Sequence, residues 1–145
     1  MNNEKRVAFF DYVALKNATA NHHKTGKTTK LFLLLYVKPN CRVICAQLFA
    51  GNQITKTEVV NFLSQAFDNN IPDSFSADYA VTSMLKDFAA EWEIKLFNLN
   101  NNLACLGWAE KVTQKCLKRT EVILIENHHS TLSEINNFLS YKLSV

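Results

Sequence analysis

Glycine and proline are scarce in this chain, with three and two copies among 145 residues. The sequence accordingly shows no interdomain linker, repeat or low-complexity tract, and residues 1–145 read as a single domain with room for one hydrophobic core. The scarcity also disposes of one phosphate-binding motif. Thr25–Thr29 reads TGKTT, but Asn21 stands where a P-loop needs its first glycine, and no helix follows. Long apolar runs are missing too. LFLLLYV (Leu31–Val37) is seven residues, far short of a membrane span, and the run after MNNEKR is too short for a signal peptide. These absences imply no membrane partner and a cytoplasmic location, nucleoid-associated if the source is bacterial. The net charge of only +3 permits nucleic-acid binding without arguing for it. The four cysteines, Cys41, Cys45, Cys105 and Cys116, lack CxxC spacing, and the histidine pairs His22-His23 and His128-His129 have no cysteines at zinc spacing. Reduced, packed thiols and loop histidines are the plain reading.

What is present is a folded-protein composition, 48% apolar and 20% charged. Residues 6–15 (RVAFFDYVAL) read as a strand. Lys16–Lys30 reads as a polar loop or hairpin arm. Leu31–Val37 is a continuous apolar run, expected to be a strand buried on both faces. Pro39-Asn40 is a turn, and Arg42–Ala50 a third strand that closes an antiparallel meander. After Gly51-Asn52, Thr55 and Glu58 form a capping box for a helix. Val59, Phe62, Leu63, Ala66 and Phe67 recur on one face of it, and Asn69-Asn70 with Pro72 stop it. Phe75–Asp78 is a short fourth strand. Thr82 or Ser83 is expected to cap a second helix, with Leu85, Phe88, Ala89 and Trp92 inward. Ile94–Phe97 is a fifth strand, followed by the polar loop NLNNN. A helix is expected from about Leu106 to Arg119, with its neighbour continuing apolar through Ile125. A last amphipathic helix, Leu132–Leu143, turns Leu132, Ile135, Phe138, Leu139 and Leu143 inward. The order βββαβαβαα(α) predicts an α/β fold with a mixed sheet flanked by helices.

Three carboxylates stand out. Asp11 lies inside the apolar run VAFFDYVAL, where an unpaired charge is expensive. Asp78 ends the fourth strand. Glu110 enters a basic helix in GWAEKVTQKCLKR. Two aspartates at strand ends with a glutamate on a late helix form the layout of a divalent-metal nuclease or strand-transferase core. Like charges brought together are costly without a cation. Each also has a plainer role: Asp78 as a turn residue or helix cap, and Glu110 as a helix-surface residue. Asp73, Asp87, Glu91 and Glu93 read as surface charges, and Trp92 and Trp108 as packing residues.

These segments resemble the ribonuclease-H-like core of retroviral-type integrases and DDE transposases, over roughly residues 5 to 143. VAFFDYVAL resembles the family's first strand, with its catalytic Asp between apolar residues. LFLLLYVKPNCRVICAQLFAG resembles its hairpin of strands two and three. SADYAVTSMLKDFAAEWEIK resembles its Thr-Asp-Asn-Gly segment with the helix and strand that follow, and Asp78 matches the second Asp. GWAEKVTQKCLKR resembles its Asn-Gly-x-x-Glu pattern, with Gly107, Glu110 and Leu117-Lys118 at matching positions. The chain departs from the family at Tyr79-Ala80, which replace Asn-Gly, and in NLNNNLACL, which replaces a proline-rich loop. The 31 residues between Asp78 and Glu110 are fewer than in the family's commonest form. The family's flanking helix-turn-helix or zinc module and small C-terminal domain have no counterpart here.

The resemblance implies a five-stranded ribonuclease-H-like fold forming an integrase or transposase catalytic core. It implies two Mg2+ (or Mn2+) ions held by Asp11, Asp78 and Glu110, with Asp11 bridging both. The activity implied is 3′-end cleavage of DNA followed by strand transfer, by a homodimer or larger assembly. Gln114, Lys115 and Lys118 are the expected DNA contacts, Gln114 and Lys118 sharing the Glu110 face. Two rivals follow from the departures: a catalytically inactive ribonuclease-H-like DNA-binding or assembly protein derived from a transposase, and a nuclease of the same fold that cuts without joining.

Overall fold

A computed structural model describes residues 7–15, 30–39, 43–68, 71–101 and 103–143. Several expectations lie outside them: the polar arm 16–29 with TGKTT and His22-His23, Cys41, the Asn69-Asn70 stop and Asn102. Five strands form one sheet: β1 (Ala8–Leu15), β2 (Lys30–Val37), β3 (Val43–Gly51), β4 (Ser74–Ala77) and β5 (Lys95–Asn98). Their spatial order is β3-β2-β1-β4-β5. β1, β2 and β3 pair antiparallel, while β1–β4 and β4–β5 pair parallel. The expected mixed sheet is borne out.

The helices are α1 (Lys56–Ala66), α2 (Tyr79–Met84), α3 (Lys86–Glu91), α4 (Leu103–Glu126) and α5 (Leu132–Leu143), with a 3-10 turn at Leu99–Asn101. Alternation along the strands sorts side chains into two layers. On β2, Leu31, Leu33, Leu35 and Val37 pack with α4 and α5, whereas Phe32, Leu34 and Tyr36 pack with α1 and α3. A continuous apolar run is therefore what a strand covered on both faces requires. On β1, Phe9 and Leu15 face the α4 layer, and Ala8 and Phe10 face the other. Asp11 shares the parity of Phe9 and so belongs to the α4 face.

Local signals explain most boundaries. The Thr55–Glu58 capping box opens α1, with Val59, Phe62, Leu63 and Ala66 buried. The structure corrects three expectations. Residues 79–91 form two helices, broken at Leu85 (φ −106°, ψ 6°), and the first is capped by Asp78 rather than by Thr82 or Ser83. The Thr82 and Ser83 hydroxyls instead donate to the Tyr79 carbonyl. Asp78 accordingly stands one residue past β4. Finally, α4 is a single helix of 24 residues that runs on past Arg119 to Glu126, with Thr113 and Thr120 buried inside it.

Candidate active site

Asp11 sits on β1, the middle strand of the five, on the face that α4 covers. Both of its oxygens are held. Oδ1 accepts from the Tyr12 backbone N–H at 2.9 Å, and Oδ2 accepts from the Thr113 hydroxyl at 2.9 Å. Burial pushes the Asp11 carboxyl up from 3.8 to about 6. The two hydrogen bonds oppose that shift, and the negative charges of Asp78 and Glu110 add to it. The fold thus brings all three predicted carboxylates within electrostatic reach of one another.

Asp78 is held by a short-range device. Its Oδ1 accepts from the Val81 N–H at 2.9 Å, the N-cap bond of α2. The Asn100 side chain accepts from the Tyr79 N–H at 3.3 Å, which ties the 3-10 turn to the start of that helix. Glu110 lies exposed on α4, one turn before Thr113. Among the described residues, no three Asp, Glu, His or Cys side chains stand close enough to hold a metal ion as they are. The donor chemistry nonetheless fits a hard divalent cation. It consists of carboxylate oxygens, one of them desolvated and repelled by the other two, and a cation offsets both costs.

No protein-family profile matches the chain, and no curated protein is similar to it in sequence. Solved structures do match. The HTLV-2 integrase catalytic core, a dimeric form in complex with magnesium, gives a TM-score of 0.65 at 14% identity, covering 94% of this chain and 83% of that one. The simian T-cell lymphotropic virus intasome in complex with PP2A regulatory subunit B56 gamma gives 0.64 at 13%, covering 96% of this chain and 47% of that one. The BIV integrase catalytic core gives 0.56 at 13%, covering 97% and 82%. This chain has the ribonuclease-H-like fold of retroviral integrase catalytic cores.

Within that integrase-core fold, the other predicted residues distribute around α4. Gln114, Lys115 and Lys118 are all exposed. At about 100° per residue, Gln114 lies roughly 40° and Lys118 roughly 80° around the helix from Glu110, while Lys115 lies roughly 140° away. Lys115 opens instead, with Lys118 and Arg119, onto a groove of about 550 Å3 whose apolar lining includes Val43, Val112 and Leu143. Trp108 is buried and packs edge-on against Phe9, with ring centroids 5.0 Å apart. Cys45 and Cys116 are thiols whose burial pushes them up, as packed cysteines should be.

Two neighbours escaped the sequence reading. Thr113 is buried and touches Asp11, but nothing marks it in VTQKC. Tyr12 is raised by burial first and then by the charges of Asp78 and Asp11. In the sequence it is one aromatic among several, and only strand alternation would assign it to the opposite face from Asp11.

Proposed function

We propose that this chain is the catalytic core domain of a DNA integrase or transposase, a Mg2+-dependent polynucleotidyl transferase that trims a 3′ end and joins it to target DNA. The observation that carries this reading is Asp11: a desolvated carboxylate on the middle strand of an integrase-core sheet, under the charges of Asp78 and Glu110. Asp11, Asp78 and Glu110 are the residues that would hold two Mg2+ or Mn2+ ions. When bound, such a pair activates a water or a 3′-hydroxyl for attack on phosphorus and stabilises the departing oxygen.

The chain's own residues supply the rest. β1 carries Asp11 in mid-strand and the cap of α2 carries Asp78 one residue past the neighbouring strand β4, so both would-be ligands sit on regular backbone rather than on flexible loops. Glu110 arrives from a long helix, whose exposed Gln114, Lys115 and Lys118 donate to phosphate oxygens and orient the DNA end. No side chain is needed as a covalent nucleophile. The dimeric, magnesium-bound HTLV-2 core supports metal dependence and assembly as a homodimer or larger complex. No helix among the described residues is long and apolar enough to cross a membrane, and a cytoplasmic or nucleoid-associated place suits a protein that acts on DNA.

A second reading has its own observation. Asp78 is already engaged as an N-cap, and the three acids are not gathered into a metal-holding group. Both suit a catalytically inactive DNA-binding or assembly protein derived from a transposase. Calorimetry with Mn2+, with and without duplex DNA ends, separates the two. Asn retains the one acceptor used at position 78 and one of the two used at position 11, where its NH2 can donate to the Thr113 hydroxyl, and Gln is neutral on an exposed helix, so Asp11→Asn, Asp78→Asn and Glu110→Gln should each fold. Saturable binding that every substitution weakens, together with strand transfer that each abolishes, supports the enzyme. Absence of binding even with DNA present leaves the inactive protein as the better reading.

A further inference from the structure

Helix α4 carries two fully buried threonines, and they use their hydroxyls differently. Thr120 donates to the Cys116 carbonyl at 2.7 Å, the usual back-bond of a threonine inside a helix. Thr113, equally buried, donates instead across the core to Asp11 Oδ2 at 2.9 Å, over a separation of 102 residues. A buried hydroxyl without a partner is costly, so the α4 face at Thr113 is chemically matched to Asp11 and to little else around it. Its neighbours on that face, Ala109 and Cys116, are small or apolar.

The bond fixes two things together. Because the Tyr12 N–H holds the other oxygen, the plane of the Asp11 carboxylate is set at both ends. An ionised carboxylate still has about two of its four lone-pair directions left for a cation. Thr113 is also one turn after Glu110, so the same bond sets the rotation and height at which α4 presents Glu110 to Asp11. We propose that Thr113 is a positioning residue that pre-orients Asp11 and docks α4, so that the carboxylates of β1 and α4 meet one cation. This rests on the metal-dependent reading above.

Partners that orient a metal ligand typically account for 10–100-fold in metal affinity. Thr113→Val keeps the shape and removes the donor, Thr113→Ser keeps the donor, and Thr120→Val removes a buried hydroxyl bonded only to backbone. The measurement is the Mn2+ dissociation constant of each full chain by calorimetry with duplex ends present, alongside its melting temperature. Thr113→Val should bind roughly 10–100-fold more weakly, Thr113→Ser within about threefold of the parent chain, and Thr120→Val unchanged whatever its melting temperature. If Thr113→Val does not fold, Thr113→Ala takes its place under the same criterion. Parental affinity in the donorless variant, or an equal loss in Thr120→Val, overturns the positioning role and leaves the metal-dependent reading standing. If the parent chain does not bind Mn2+, both fall.

Discussion

Asp11 is ionised at neutral pH in a place that favours its neutral form, and the consequence for stability has a definite sign. In the unfolded chain this carboxyl releases its proton near 3.8, and in the folded protein it holds it to about 6. Between those values the folded state binds more protons than the unfolded one, so stability falls as pH rises through the window. Below it both states are protonated and nothing is lost. Above it both are ionised and the loss is complete, at about 3 kcal/mol. Asp11→Asn should therefore match the parent near pH 4 and exceed it by up to about 3 kcal/mol at pH 7 without metal. Urea unfolding from pH 4 to 8 reads the difference, and a gain independent of pH would refute the assignment. Asp11 was legible in the sequence because a lone acid in VAFFDYVAL has no cheap structural explanation. Its partner was not, since a threonine between valine and glutamine announces neither burial nor a contact 102 residues away.

At the scale of elements, α5 illustrates what pattern reveals and what it conceals. β3 is an edge of the sheet, with outward N–H and C=O groups that would otherwise offer pairing to another strand. Two polar side chains of α5, one turn apart, cover them. Asn136 accepts from the Leu48 N–H at 2.7 Å and donates to the Leu48 carbonyl at 3.0 Å. Ser140 does the same for Ala46, at 2.8 and 3.1 Å. Asn136→Ala removes both side-chain bonds to the Leu48 backbone and should cost about 2 kcal/mol in urea unfolding. It should also raise concentration-dependent light scattering, because the edge becomes available. An unchanged midpoint would mean that water replaces the side chain without loss. The apolar spacing of α5 was readable, but nothing in that spacing marks Asn136 or Ser140. The meander and α1 were readable because alternation and a capping box agree with the tertiary result. The break at Leu85 was not, since the apolar spacing from Val81 to Trp92 suits one helix as well as two. Asp78, which caps the first of the two helices, is also one of the three proposed ligands.

For the whole molecule, the net charge of +3 is too small to hold DNA by bulk attraction, so affinity must depend on where positive charge sits. Four cations, Lys111, Lys115, Lys118 and Arg119, lie within nine residues of α4, the helix that also carries Glu110. Both Lys115 and Lys118 line the groove beside β3 and α5, and Lys118 is the nearer of the two to Glu110 around the helix, at roughly 80° against roughly 140°. Each phosphate neutralised releases counterions and adds about 0.9 to the slope of log affinity against log salt. If the DNA end approaches along the Glu110 flank, Lys118→Gln should lower that slope by about one and Lys115→Gln by less. Gln114→Ala should weaken binding about equally at every salt concentration, because a neutral donor displaces no counterion. Fluorescence anisotropy with duplex ends between 50 and 200 mM salt, on the order of the range where such slopes resolve, measures all three. Equal slope changes for Lys115 and Lys118 would lay the duplex across the outer face of α4 and not along one flank. No change for either would move the DNA off this helix altogether, and would leave the acids facing a substrate held by another part of the surface.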